Sequence, residues 1–133
     1  MNFVLDCSFS SALFLPDEKS NHIRGFFINL KSSDKVFVPL LWWYETSNVL
    51  HVAIKRKRLN FNEISTIIEL CGKLPIETDI SYGVQHSKNL FELTQLYNIS
   101  SYDAAYIELA VRKKSKLMSL DEAVITVSKS IGL

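Results

Sequence analysis

The sequence predicts an α/β fold with a short central parallel sheet of four or five strands flanked by helices. Two observations carry this. Brief apolar or β-branched runs alternate with longer segments of helical periodicity. The helical segments are too long for the flanking strands to be hairpin partners, so the strands lie parallel with helices on both faces. Composition agrees. With 133 residues, 47% apolar and 22% charged, residues 1–133 fit one domain with a single core. Four glycines and three prolines exclude collagen-like and disordered classes.

The elements follow in order. Asn2 to Leu5 is an apolar run stopped by Asp6 and Ser8, both good N-cap types, before the apolar stretch Phe9 to Leu15. Pro16 and Asp17 break the chain. Ile23, Phe26, Phe27 and Leu30 recur at helical spacing and mark an amphipathic helix. Val36 to Val38 is a buried strand, and a long helix covers about Leu41 to Arg56. Asn60 or Asn62 caps the next helix, which carries Ile64, Ile67, Ile68 and Cys71 on one face and stops at Gly72. Leu74 to Glu77 is a short strand, and Asp79 or Ser81 caps a helix through Val84, Leu90, Leu93 and Leu96. A helix over Tyr102 to Lys113, a core strand at Leu117 and Met118, and a last helix opened by Asp121 complete the alternation. The tail, Ile131 to Leu133, is a candidate edge strand.

Fifteen Lys and Arg nearly cancel fourteen Asp and Glu, so net charge alone names no polyanionic partner. Distribution is more informative. Lys55, Arg56, Lys57 and Arg58 form one basic knot, and Arg112, Lys113, Lys114 and Lys116 a second. Each reads either as a phosphate-binding patch or as solvated cations favoured at a helix C-terminus. Cys7 and Cys71 have no CxxC or zinc spacing, which suits a reducing cytoplasm. The longest apolar run, Val36 to Tyr44, contains Pro39 and is half the length needed to span a bilayer. No membrane helix or secretory signal is expected.

Four acids stand out. Ligands of open parallel sheets bind beyond the C-terminal ends of the strands. Asp6 and Asp121 each follow a predicted strand there, so they should be close neighbours. Each also reads as an ordinary helix cap. Glu45 shares a helical stripe with Leu41, Val49 and Val52. It is either a paired inward carboxylate or a stem packed with its head at the rim, and Asn48, one turn on, can orient it. Ser100 and Asp103 match a capping box, yet Asp103 shares a stripe with Ile107 and Ala110, and Ala104 and Ala105 permit close approach to the sheet. Four converging carboxylates need positive charge, and an oxygen-only set suits Mg2+ or Mn2+. Such an ion could hold a phosphodiester and activate a water. The turn Asp6-Cys7-Ser8-Phe9 lacks GxGxxG, which disfavours a dinucleotide enzyme. Trp42, Trp43 and Tyr44 read as core or dimer interface before base-stacking residues.

The ordered set Val4-Leu5-Asp6-Cys7-Ser8, Glu45 with Asn48, Asp103-Ala104-Ala105 with Leu109-Ala110, and Ser119-Leu120-Asp121 resembles a PIN domain over nearly the whole chain. More narrowly it is similar to the VapC ribonuclease toxins of prokaryotic toxin–antitoxin pairs. The resemblance implies a Rossmann-like parallel sheet, Mg2+- or Mn2+-dependent RNA cleavage, frequent homodimers and inhibition by a small VapB-like antitoxin. It assigns Asp6, Glu45, Asp103 and Asp121 as catalytic metal-binding acids, with Ser8 and Ser119 as supporting polar groups and Asn48 beside Glu45. Glu122 adjoins Asp121, which binds metal directly or acts through water. Lys55 to Arg58, with Arg112, Lys113 and Lys114, would grip RNA phosphates beside the cleft. Phe14, Phe26 and Phe27 are core, or the wall of an apolar groove for the antitoxin. The alternative is a degenerate PIN fold that binds RNA or protein without cleaving.

Overall fold

The computed structural model describes residues 1–15 and 20–133; the expected break at Pro16 and Asp17 lies outside the described residues. The elements are β1 (Asn2–Leu5), α1 (Cys7–Ser11), α2 (Ser20–Ile28), β2 (Lys35–Pro39), α3 (Leu40–Lys55), α4 (Phe61–Lys73), β3 (Glu77–Asp79), α5 (Val84–Tyr97), α6 (Ser101–Arg112), β4 (Lys116–Met118) and α7 (Glu122–Ser130). The sheet has four strands in the order β3-β2-β1-β4. Every pairing is parallel, with Val4 opposite Phe37 on one side and Leu117 on the other, and Val38 opposite Thr78. Parallel pairing aligns the C-terminal ends of all strands along one edge, where β1 hands over to Asp6 and β4 to Ser119.

The central strands are apolar because helices cover both faces. Val4, Leu5, Val36, Phe37, Val38 and Leu117 are buried. On α6, every residue from Ala104 to Ala110 is buried; the small alanines let this helix sit close to the sheet, as its sequence predicts. Trp42 is fully buried, and its indole N–H donates to Ser10 Oγ at 2.8 Å, docking α3 on α1. Trp43 and Tyr44 stay exposed. Phe26 packs edge-on against Phe3, Phe9 and Phe27, with centroids 5.0 to 5.5 Å apart, so Phe26 and Phe27 belong to the core's margin. Both thiols, Cys7 and Cys71, are buried and free. No helix among the described residues is long and apolar enough to cross a membrane.

Four expected boundaries move, each for a local reason. The first helix spans Cys7–Ser11 rather than Phe9 to Leu15, with Asp6 as its N-cap. Helix α4, opened by a full Asn60–Glu63 capping box, runs through Gly72 to Lys73. Pro75 ends it by forcing Leu74 into extended backbone, ψ 144°. That proline has no N–H and the Ile76 N–H turns back to Leu74 O at 2.8 Å, so β3 starts at Glu77 instead of Leu74. Neither Asp79 nor Ser81 caps α5; Gly83 stands there at φ 97°, and Asp79 ends β3. The tail is not a strand. Gly132, at φ 80°, folds it back so that Leu133 N–H reaches Ser128 O at 2.9 Å, a Schellman-type end that uses the donors a strand would need.

Candidate active site

Asp6 is 6% exposed and sits where β1 ends, held by its N–H to Met118 O at 2.9 Å. Two hydroxyls converge on its Oδ2: Ser8 Oγ donates at 2.8 Å and Ser119 Oγ at 2.5 Å. Each serine is oriented from behind. Leu120 N–H donates to Ser8 Oγ at 3.0 Å, and Asp121 N–H to Ser119 Oγ at 3.0 Å. Accepting these amides points both hydroxyl protons at Asp6. The same network links the ends of β1 and β4, which makes Asp6 and Asp121 neighbours as the parallel topology requires. Asp121 caps α7, its Oδ1 accepting from Ala123 N–H at 2.9 Å and Val124 N–H at 3.2 Å. Its Oδ2 is left for a water or an ion.

Glu45 and Asp103 face this edge from α3 and α6. They line a cleft of about 460 Å3 with Leu41, Tyr44, Asn48, Val49, Ser100 and Tyr102. Half of the predicted capping box is present: Ser100 Oγ accepts the Asp103 N–H at 3.1 Å. The Asp103 carboxylate reaches into the cleft. Burial first, then the charges of Asp121 and Asp6, push its pKa above the ordinary range. Glu45 is raised too, again by burial first, with the charges of Asp6 and Asp103 adding to it and a hydrogen bond from Tyr106 opposing. Among the described residues no cation acts on Glu45 or Asp103, and the charges that reach them are those of Asp6, Asp121 and, for Glu45, Asp103.

Tyr106 is the residue that sequence reasoning missed. Its hydroxyl donates to Glu45 Oε1 at 2.7 Å, whereas Asn48 lines the cleft without a hydrogen bond to Glu45. The available signal was position: Tyr106 follows Asp103 by one helical turn, and a buried tyrosine needs a partner for its hydroxyl.

Along the helix axes both basic knots are removed from Glu45 and Asp103, although Arg112 borders a cavity that shares Leu41 and Tyr102 with the cleft. Lys55 ends α3 ten residues after Glu45, and Lys113 follows Asp103 by ten, roughly 15 Å along each helix axis. The Lys113 carbonyl accepts from Asn2 Nδ2 at 3.0 Å, at the strand-start edge opposite the acids. Arg112 is also committed elsewhere, bidentate to Asp79 at 2.9 and 2.8 Å and to Glu108 at 2.8 and 3.1 Å. Lys113 Nζ stands 3.7 Å from Asp79 Oδ1 and 4.8 Å above the Phe37 ring. Arg112 is thus engaged by Asp79 and Glu108, and Lys113 stands beside Asp79. Lys55, Arg56, Lys57 and Lys114 are exposed.

Oxygen-only donors with no internal cation match the chemistry of a hard divalent ion such as Mg2+ or Mn2+. They are not drawn into a finished coordination shell: among the described residues no three His, Cys, Asp or Glu side chains form a ready metal-holding group.

The chain is 27% identical over 121 residues to "Ribonuclease VapC3" of Pyrobaculum aerophilum, covering 91% of this chain and 90% of that protein. Its fold is similar to the crystal structure of PAE2754, also from Pyrobaculum aerophilum, with a TM-score of 0.69 at 16% identity, covering 95% of this chain and 86% of that one. The PIN domain model matches residues 3–129, a span that takes in all four acids and the serines that orient Asp6, and the chain belongs to the PIN domain family.

Proposed function

We propose that residues 1–133 act as one PIN domain with Mg2+- or Mn2+-dependent ribonuclease activity, hydrolysing RNA phosphodiester bonds with a metal-activated water. The observation that carries this is the convergence of Asp6, Glu45, Asp103 and Asp121 toward the strand-end edge, where burial and the neighbouring carboxylates push the pKa values of Glu45 and Asp103 upward. Family membership and the printed name of the VapC3 relative support the same reading. Asp6, Glu45 and Asp103 would hold the ion, and Asp121 would reach it through Oδ2 or through water. When bound, the ion supplies a lowered water pKa and neutralises charge developing on the phosphate. The protein's own part is orientation. Ser8 and Ser119 fix Asp6 Oδ2, and the open cleft admits a single strand along Tyr44 and Tyr102, whose exposed rings can stack on bases.

The relative's name further supports a VapB-like antitoxin as protein partner. A homodimer as working form and a cytoplasm that leaves Cys7 and Cys71 reduced complete the proposal. Exposed Phe61 and Ile68 on α4, and Val84 and Phe91 on α5, offer apolar surface for these contacts.

One observation favours a second reading, a PIN fold that binds without cleaving: the acids do not form a ready-made ion cage. A denaturing-gel assay on mixed cellular RNA, with Mn2+ or Mg2+ against EDTA, decides between them. Cleavage that needs the metal and disappears in Asp6→Asn establishes the nuclease. Binding of RNA without metal-dependent cleavage establishes the second reading.

A further inference from the structure

Tyr106 is 1% exposed and its ring belongs to the core, yet its hydroxyl reaches the acidic cleft and donates to Glu45 Oε1 at 2.7 Å. The contact joins α6, which carries Asp103, to α3, which carries Glu45. The phenol is the donor of this pair, because an ionised carboxylate can only accept. Glu45 needs such a restraint. It lines an open cleft, so an untethered carboxylate gains hydration by swinging out to water.

We propose that Tyr106 is a positioning residue for Glu45: its hydroxyl occupies Oε1 and holds the carboxylate toward Asp6 and Asp103, with Oε2 presented to a divalent cation. This rests on the metal-dependent reading above and goes beyond it by naming the group that sets how Glu45 meets the ion. A carboxylate held at one oxygen is ordered before the ion arrives, so less of the binding free energy is lost in ordering it.

The test is Tyr106→Phe, which removes one oxygen and leaves the ring in the core. Mn2+ binding is measured by calorimetry on the full chain and on the variant, beside melts of both in EDTA and a crystal structure of the metal-free variant. The expected result is Mn2+ affinity reduced about ten-fold or more, a cooperative EDTA melt, and Glu45 turned toward solvent. Equal Mn2+ affinity in both proteins, or Glu45 unmoved, overturns the proposal. Loss of the cooperative melt in EDTA also overturns it, assigning the hydroxyl to holding α3 on α6. If the unaltered chain binds no Mn2+, the metal-dependent reading fails and takes this one with it. That outcome is distinguishable because it shows in the unaltered protein.

Discussion

Two groups of acids in this molecule are treated in opposite ways. Asp79 and Glu108, at the end of β3 and within α6, share the Arg112 guanidinium, with Ser81 Oγ donating to Asp79 at 2.6 Å and His86 Nδ1 4.0 Å from Glu108. The Arg112 hydrogen bonds hold the Asp79 carboxyl down at about 2. In the cleft, Glu45 and Asp103 are shifted upward, by burial first and then by neighbouring carboxylates, and among the described residues no cation acts on them. The two groups are close, since Leu41 and Tyr102 line both the cleft and the smaller cavity, of about 230 Å3, beside the Arg112 clamp. Proximity makes the contrast informative: the chain neutralises the carboxylates that tie β3 to α6, and among the described residues leaves Glu45 and Asp103, which line the cleft, without a counter-charge.

That contrast can be broken in four ways. The largest effect is expected from metal. Mn2+ at a hundred times its dissociation constant should stabilise the protein by about 2.7 kcal/mol, and Asp6→Asn should remove most of the gain. Thermal melts with and without Mn2+ read this, and an equal shift in Asp6→Asn would mean that the ion binds elsewhere. Next, Arg112→Ala should cost about 2 kcal/mol, below the range for buried pairs because the Arg112 side chain is 38% exposed. Glu108, at 7% exposure, is then left without its partner. Urea unfolding checks it, and a cost near zero would show that water replaces the clamp.

Smaller still, Asp103→Asn in EDTA should leave the melting temperature unchanged or slightly raised, because it relieves repulsion from Asp121 and Asp6. A clear fall would mean that the Asp103 carboxylate serves the helix start instead. The smallest effects are opposite pH dependences. Asp79 has a lowered folded pKa, so its contribution is present above the ordinary carboxylate value and is lost as pH falls from about 4 toward about 2. Glu45 and Asp103 have raised values, so in EDTA their contribution grows as pH falls from neutral toward the ordinary carboxylate range. Melts of Asp79→Asn and Glu45→Gln across pH should each flatten one limb, and the same limb flattening in both would collapse the distinction.

Much of the fold was legible because it depends on local chemistry. The helix cap at Asn60, one of the two asparagines the sequence offers, the Asp121 cap and the buried run of Val36 to Val38 each follow from a few neighbouring residues. The errors were local competitions settled the other way: Pro75 outranked Gly72 as a helix stop, and Gly132 turned a tail that otherwise reads as a strand. That Asp6 and Asp121 are neighbours was legible because a parallel sheet brings strand ends together whatever their separation in sequence. Charge runs are visible in sequence, but which acids Arg112 and Lys113 meet is not: Asp79 lies more than thirty residues away from both.

The sequence by itself determined the alternation of strands and helices, the parallel sheet and the placing of Asp6 and Asp121 at its ligand-binding edge. These rest on periodicity and on connection length, which a single chain displays. Only the tertiary structure decided who meets whom: Tyr106 with Glu45, 61 residues apart, Arg112 with Asp79, 33 apart, and Ser119 with Asp6, 113 apart. Those pairings depend on how side chains from different elements approach across the sheet edge, and on which carboxylates burial leaves with or without a cation. No pattern along the chain encodes that.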